Sequence, residues 1–562
     1  MAEASYDLSR SRATPINGRI IAIGASTVVI VAMAALIHVV PYGRAIWDFV
    51  FVLDGAYRIG LGQIPHVDFA SPIGALTLYL TWLAERIFPG GQPFIGLHAL
   101  AWLIMVPPFA VIAPRIRSVW GFAGSFAVLA LVVLVPYTLD PTMLSEISYF
   151  ATYNRFATAI LFLAGLWFVL PKARGDGVLL GYLLTALIFF KITAAIAMLG
   201  LVVASVLLGR ARPAALFVMF AVAGVAAGLV ELATGGLVSG YLRDIAAMSA
   251  LNRGGSLYRL ASSTARNWLP IVVTIAIVGL AIRELDFTAA VRRPLAFIRD
   301  TIARQAFAID AALLIAVALV AESQNTGGVG LIAAAAALFH PSLQVERGWR
   351  LIAAAVLGAT LVLPLADIAE KRVVSSLIRE RQGTTDHTFA TFLPGMRVPT
   401  ATLAGSRLMT RLQNEWLPYL EEIDAGGFDL DGDPASTSPA NRAAWAISVA
   451  EAGANFQRLG YAAKAKRYTT IDFAESFPRL LGLTPARGTT LAMDFGRTVP
   501  GFSTAEASAY LASADGVFFR TCVIPGANTN PATFRTVLER EFTRHTLHPC
   551  WDFYSRSLKG LP

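Results

Sequence analysis

Through its first two thirds the chain alternates long apolar runs with short polar loops, and after about residue 370 that alternation stops. Apolar runs occupy 20–41, 71–88, 94–113, 119–138, 156–171, 177–191, 192–208, 214–234, 267–282, 307–322, 327–340 and 349–367. A helix needs about 20 such residues to cross a bilayer, so most of these runs are predicted spans. The runs 177–191 and 192–208 meet at Lys191 and are too long together for one crossing, which predicts a helical hairpin with Lys191 at its tip.

Basic residues set the direction of the spans. If all twelve runs cross, Arg115, Arg117, Lys172 and Arg174 face outward, against the tendency of Lys and Arg to stay on the cytoplasmic side. If instead 71–88, which ends near Glu85 and Arg86, lies along the outer interface, about eleven crossings remain. The N-terminus and the loops at 114–117, 172–174, 210–212, 283–304 and 347–350 then share the cytoplasmic face. The loops at 42–93, 139–155, 235–266 and 323–326 point outward, together with everything after 367.

Beyond 370 the residues are those of a soluble domain. Loops rich in Gly, Pro, Thr and Asp are expected at 373–400 and 424–440, and helical periodicity is present at 402–423, 440–459, 504–513 and 530–544. Short apolar runs at 468–473, 490–494, 516–524 and 551–555 read as strands. The expected fold is a polytopic α-helical membrane module over 1–369, with interfacial helices on its outer side, followed by an α/β domain over 370–562.

Composition agrees: 56% of the 562 residues are hydrophobic and 15% are charged, against about 25% charged in soluble proteins. The net charge of +9 resides in loops between apolar runs, and no basic stripe interleaves with aromatics, so no nucleic-acid partner is expected. Arg10, Arg12 and Arg19 precede the first run, which is long enough to span and is followed by no small-residue cleavage site; it reads as an uncleaved first helix. The two cysteines, Cys522 and Cys550, both lie in the soluble domain and suit a disulfide in an oxidising compartment.

Charges beside a bilayer are costly and mark function by default. They gather between the first two runs as Asp48, Asp54, Arg58, His66 and Asp68, with Tyr57 among them. The second outer loop adds Glu146, Tyr153, Asn154 and Arg155, and the third adds Tyr241, Arg243, Asp244 and Asn252. Asp429–Asp433 lacks the glutamate and glycine positions of a calcium loop, and His545, His548 and Cys550 lack a fourth zinc ligand, so no metal is indicated. There is no phosphate-binding glycine loop, dinucleotide fingerprint or Gly-x-Ser-x-Gly elbow.

Asp54-Gly-Ala-Tyr57, Gly62-Gln-Ile-Pro65, Asp68-Phe69 and Ser71-Pro72-Ile-Gly74, after one basic-flanked helix, resemble the first loop of the glycosyltransferase C superfamily. The likeness is nearest to the bacterial family 39-like enzymes related to protein mannosyltransferases and lipid A aminoarabinose transferases. The apolar stretch Leu179–Ile192 resembles the family's helix that ends in a phosphate-facing lysine, here Lys191. Two departures stand out: Gly55 replaces the acidic partner of Asp54, and Ser71 replaces a basic residue before Pro72.

The resemblance implies an inverting transferase in the bacterial inner membrane that takes a sugar from a polyprenyl-phosphate donor and passes it to a glycan, lipid or protein acceptor. It places the soluble domain in the periplasm and calls for no cofactor. Asp54 is the expected base, with Asp68 and Asp48 as alternatives. Arg58, Lys191 and Arg155 are expected on the donor phosphate, with Tyr57, His66, Glu146, Tyr153, Asn154 and Arg243 lining the pocket. A transporter or lipid translocator with an external binding domain is the alternative, motivated by the lysine at a helix break.

Overall fold

The computed structural model describes residues 16–37, 40–41, 46–90, 92–135, 152–285, 294–325, 329–344, 348–386, 396–400, 439–522 and 531–556, with a few isolated positions between 407 and 415. An α-helix occupies every expected apolar run except 327–340. In chain order the helices are α1 (Ile16–Leu36), α2 (Ile46–Gly60), α3 (Ala75–Ile87), α4 (Pro93–Ile112), α5 (Val119–Leu134), α6 (Thr152–Val169), α7 (Asp176–Phe190), α8 (Ile192–Leu207) and α9 (Pro213–Thr234). They continue with α10 (Leu237–Leu251), α11 (Ser256–Arg266), α12 (Trp268–Arg283), α13 (Pro294–Arg304), α14 (Ala306–Ser323) and α15 (Trp349–Gln382). Among the described residues six helices are long and apolar enough to cross a membrane, and α11–α12, bent by 80°, makes a seventh if counted as one span. The chain is a multi-pass membrane protein.

The run at 327–340 is a 3₁₀ helix, Ile332–Phe339, not an α-helix. Its alanines press on α6, where a Cβ on Gly165 would come within 2.7 Å of the Ala336 methyl. A 3₁₀ helix rises about 2 Å per residue, so few residues cover much of the bundle's height. The segment starts near Glu322, which accepts from Val329 N at 3.0 Å, and ends at His340, whose Nε2 is 3.4 Å from Asp310.

The loops sort to two ends of the bundle. At one end Arg19 donates to the carbonyls of Ala113 (2.9 Å) and Arg117 (3.1 Å), and Arg115 pairs with Asp176 at 2.6 Å. There too Lys172 donates to the carbonyls of Trp167, Phe168 and Leu170, Arg210 pairs with Asp310, and Arg350 pairs with Glu284 at 2.8 Å. These are the basic loops that the sequence assigns to a single face. The helix α3, expected at the outer interface, sits at the opposite end, where Glu85 meets Arg479 of the C-terminal region at 2.5 Å.

The C-terminal region contains α16 (Pro439–Arg458), α17 (Phe477–Leu481), α18 (Thr504–Leu511) and α19 (Pro531–Glu541). Strands β1 (Val40–Pro41), β3 (Thr384–Asp386) and β4 (Met396–Pro399) form a small sheet in the order β1-β4-β3. The sheet of the C-terminal region combines β5 (Tyr468–Ile471), β7 (Gly516–Arg520), β8 (Phe542–His548) and β9 (Trp551–Arg556) in the order β5-β7-β9-β8, with β5 and β7 parallel and the other pairs antiparallel. Successive side chains of β7 serve opposite faces, as strand geometry requires. Phe518 packs with Phe456, Phe477 and Phe553 on one side, and Val517 and Phe519 join Leu511, Phe534 and Leu538 on the other. Both faces are therefore covered by helices, which explains the unbroken apolar run. Cys522 and Cys550 are bonded, with Cα atoms 4.6 Å apart.

Two expectations need correction. Residues 373–382 are not loop but the end of α15, which is about 50 Å long at 1.5 Å per residue and outruns the bilayer. The predicted helix 530–544 stops at Glu541 and gives way to the edge strand β8, whose polar, outward-facing middle carries little apolar signal. The predicted helix 402–423 and the loop 424–440 lie almost entirely outside the described residues.

The first outer loop is built into the C-terminal region. Its β2 (Phe69–Ala70) pairs in parallel with β6 (Thr489–Thr490), and Gly488 N donates to the Asp68 carbonyl at 2.6 Å. Tyr57 donates to Leu483 O at 3.0 Å, Gln63 donates to Pro485 O at 2.8 Å, and Trp47 stacks edge-on against Trp445.

Candidate active site

Lys191 interrupts the α7–α8 hairpin in an extended conformation, φ −163° and ψ 108°, so its side chain leaves the tip between the two helices. The start of α3 is pressed onto this break, because a Cβ on Gly74 would lie 2.1 Å from Phe189 O. The Lys191 ammonium donates to Asn154 Oδ1 (2.5 Å), Gln324 O (3.0 Å) and Asn325 Oδ1, which brings the tip, the start of α6 and the end of α14 together. All three N–H donors are thereby directed at neutral oxygens, which fixes the position of the charge.

A cavity of about 460 Å³ opens beside it. Its wall includes Tyr153, Lys191, Ile192 and Thr193, then Tyr241, Asn252 and Arg259 from the third outer segment, and Arg497 and Thr498 from the C-terminal region. Asn252 ties the last two segments by donating to Arg497 O at 3.0 Å while its Oδ1 accepts from Arg259 at 3.3 Å. The first turn of α8 adds the positive end of a helix dipole to three cationic side chains. Burial pushes the Tyr241 phenol up, opposed by a hydrogen bond from the Ile192 backbone, so it keeps its proton near neutral pH. The arrangement suits an anion with several oxygens and a polar, hydroxyl-bearing body.

The carboxylates of the first loop divide. Asp48, in the first turn of α2, is half-buried, lies outside the cavity wall like Asp54, and acts electrostatically on the Tyr153 phenol, as does Arg497. Asp54 is six residues on, about 240° around the helix and roughly 9 Å along it, and it does not line the cavity. It is fully buried and accepts from Arg58 Nε at 2.8 Å. Burial pushes its carboxyl up, against the pull of Arg58. Arg58, expected on the donor phosphate, instead spans to Gln63 (3.0 Å), Ala486 O (2.9 Å), Thr489 (3.2 Å) and Glu475. This pair joins α2 to the C-terminal region and is wholly buried.

The remaining expected residues also separate. Asp68 caps its own turn, accepting from Ile64 N at 2.8 Å, and pairs with Arg487 at 3.0 Å. Arg155, expected on the donor phosphate, turns into the bundle, where it meets His98 Nε2 at 3.0 Å. Tyr57 is spent on Leu483 O, and Arg243 is exposed outside the cavity. His66 adopts φ +64° and places Nδ1 2.7 Å from Asp244, with its ring 4.7 Å from that of Tyr241, so it supports the cavity wall from behind. Asn154 contacts Lys191, Tyr153 lines the cavity, and Glu146 lies outside the described residues.

No family model matches the chain, and no curated protein matches it. Among solved structures it is similar to the crystal structure of ArnT from Cupriavidus metallidurans bound to undecaprenyl phosphate, with 12% identity, a TM-score of 0.37, and coverage of 97% of this chain and 99% of that one. The apo crystal structure of the same protein gives 12% identity, a TM-score of 0.38 and the same coverage.

Arg259 and Arg497 carry two of the cavity's three cationic side chains, and the sequence alone did not single them out. Arg259 lies in a helix with ordinary amphipathic spacing. Arg497 follows Gly496, whose φ of +77° marks a tight turn after Asp494. A charged turn at the end of a short apolar run was the available signal, and it is common to many surface loops.

Proposed function

We propose that the chain is a membrane glycosyltransferase that moves a sugar from a polyprenyl-phosphate carrier to a cell-envelope glycan, lipid or protein at the periplasmic face of the bacterial inner membrane. The observation that carries this reading is the meeting of Lys191, Arg259 and Arg497 with the first turn of α8 in one cavity of an otherwise apolar protein. Charge-assisted contacts to phosphate oxygens are the strong ones, and Arg supplies them in pairs. With the N–H groups of Lys191 committed to amide and carbonyl oxygens, its part is a fixed charge, while the two arginines donate.

Asp48 is the base in this scheme, taken from among the loop's three carboxylates because its charge is felt at Tyr153, which lines the cavity. The acceptor hydroxyl gives its proton to Asp48 as its oxygen bonds to the anomeric carbon. The bond from that carbon to the phosphate oxygen breaks, and the carrier phosphate leaves with the electron pair, held by the cations. A single displacement inverts the anomeric configuration. Asp54 serves as a tie between α2 and the outer domain.

The test is transfer by the purified full chain in lipid nanodiscs, offered a panel of polyprenyl-phosphate sugars, with Asp48→Asn beside the wild type. A general base contributes about 10²–10⁴-fold, so the variant is expected to lose at least two decades of turnover. Wild-type turnover in folded Asp48→Asn removes Asp48 from the chemistry, and absence of transfer with every donor sinks the transferase reading.

A further inference from the structure

The stretch Ala321-Glu322-Ser323-Gln324-Asn325 ends the apolar helix α14 with a carboxylate that has only 2% of its surface exposed. A buried anion needs hydrogen bonds and a counter-charge to persist. Glu322 has both. Its Oε1 accepts from Val329 N at 3.0 Å and Gly330 N at 3.1 Å, and its Oε2 accepts from Asn325 Nδ2 at 2.8 Å. The counter-charge is Lys191, which interacts with it electrostatically across the Asn325 amide.

An Asn amide has a donating end and an accepting end. With its NH₂ held by the Glu322 carboxylate, the Asn325 oxygen faces the Lys191 ammonium. The neighbouring Gln324 carbonyl takes a second N–H of Lys191 at 3.0 Å. Two of the three acceptors that fix the ammonium therefore belong to a turn that Glu322 anchors.

We propose that Glu322 is a positioning residue: acting through Asn325, it orients the Lys191 ammonium at the cavity and supplies its counter-charge. The proposal rests on the reading of Lys191 as the cationic centre of the site. A purely structural Glu322 would hold Asn325, Val329 and Gly330 in place and leave the protonation of Lys191 unaffected. A relay makes the charge at residue 322 felt at Nζ.

The experiment follows the pH at which the Lys191 amine becomes reactive. The full-length protein in detergent is trace-labelled with acetic anhydride across a pH series, and the Lys191 peptide is quantified by mass spectrometry with the other lysines as references. In Glu322→Gln the half-point for Lys191 is expected to fall by about one pH unit or more, the size of effect that a nearby opposite charge has. The double variant Glu322→Gln/Asn325→Asp returns a carboxylate to the relay and is expected to restore the wild-type half-point. Should Glu322→Gln fail to fold, Asn325→Ala keeps the carboxylate and cuts the relay, and the same downward movement is expected. An unmoved half-point in a folded single variant, or a shift that Asn325→Asp leaves uncorrected, overturns the proposal. No donor or acceptor is present in this measurement, so a wild type that transfers no sugar defeats the transferase reading without touching this result.

Discussion

The joint between α2 and the C-terminal region carries an uneven charge count, and that makes its mutants easy to rank. Arg58 lies between Asp54 and Glu475, all three fully or almost fully buried, so two anions share one cation. Replacing Arg58 with Met takes away the cation that two buried carboxylates share, leaving Asp54 only the electrostatic pull of Arg479 and Glu475 the hydrogen bond from Thr470 N at 3.1 Å, and removes the hydrogen bonds to Gln63, Ala486 and Thr489. Breaking a buried pair from one side costs about 3–5 kcal/mol, which at about 1.4 kcal/mol per decade shifts the docked-to-undocked ratio by two to more than three decades. Asp54→Asn, by contrast, leaves Arg58 and Glu475 balanced, and the amide oxygen still accepts from Arg58; a cost of about 1 kcal/mol is expected. The sign of the pH dependence follows from burial. A carboxyl whose folded pKa lies above its unfolded value, as burial makes that of Asp54, takes up a proton on folding, so acid favours the folded state. The deficit of Arg58→Met is therefore expected to shrink as pH falls from 8 toward 5. The assay is release of the C-terminal fragment by limited trypsin, read beside the melting temperature in the same detergent. Equal damage from Asp54→Asn and Arg58→Met, or a deficit that grows in acid, refutes the charge account.

Two further outcomes follow from close contacts and from the covalent tie. A Cβ on Gly240 would sit 2.0 Å from His66 O, so Gly240→Ala drives α10 off the first loop and carries Tyr241 with it; a cost of about 1–3 kcal/mol is expected, with a lower melting temperature and weaker donor binding. A wild-type melting temperature in that variant denies the close approach. Cys522→Ser opens a link between positions 28 apart in sequence, with an expected loss of about 3 kcal/mol. Dithiothreitol is expected to lower the wild-type melting temperature by the same amount and to leave the variant unchanged.

The membrane module was largely legible because its signals are local. Run length marks the helices, Lys and Arg mark one end of the bundle, and the two short runs meeting at Lys191 mark a break that the cavity now borders. The different surroundings of the loop's carboxylates were not legible. Asp48 and Asp54 sit on one helix, and what separates them is which side of α2 meets Glu475 and Ala486, more than 400 residues later in the chain. The same distance hid Arg497, which reaches the cavity because β2 pairs with β6 and brings the C-terminal region over the first loop. The 3₁₀ helix at Ile332–Phe339 was missed because apolar run length cannot tell a 3₁₀ turn from an α turn. The strand β8 was missed because an edge strand with solvent on one side needs few apolar residues.

The most direct measurement is photo-crosslinking of a benzophenone-bearing prenyl phosphate to the full-length protein in nanodiscs, with labelled peptides mapped by mass spectrometry. Label is expected on peptides carrying Tyr153, Lys191, Arg259 or Arg497, displaced by unlabelled prenyl phosphate and sharply reduced in Arg259→Ala/Arg497→Ala. Label that spreads over the apolar helices alone, or that is indifferent to the phosphate and to both arginines, contradicts the assignment of this cavity to a lipid-linked donor.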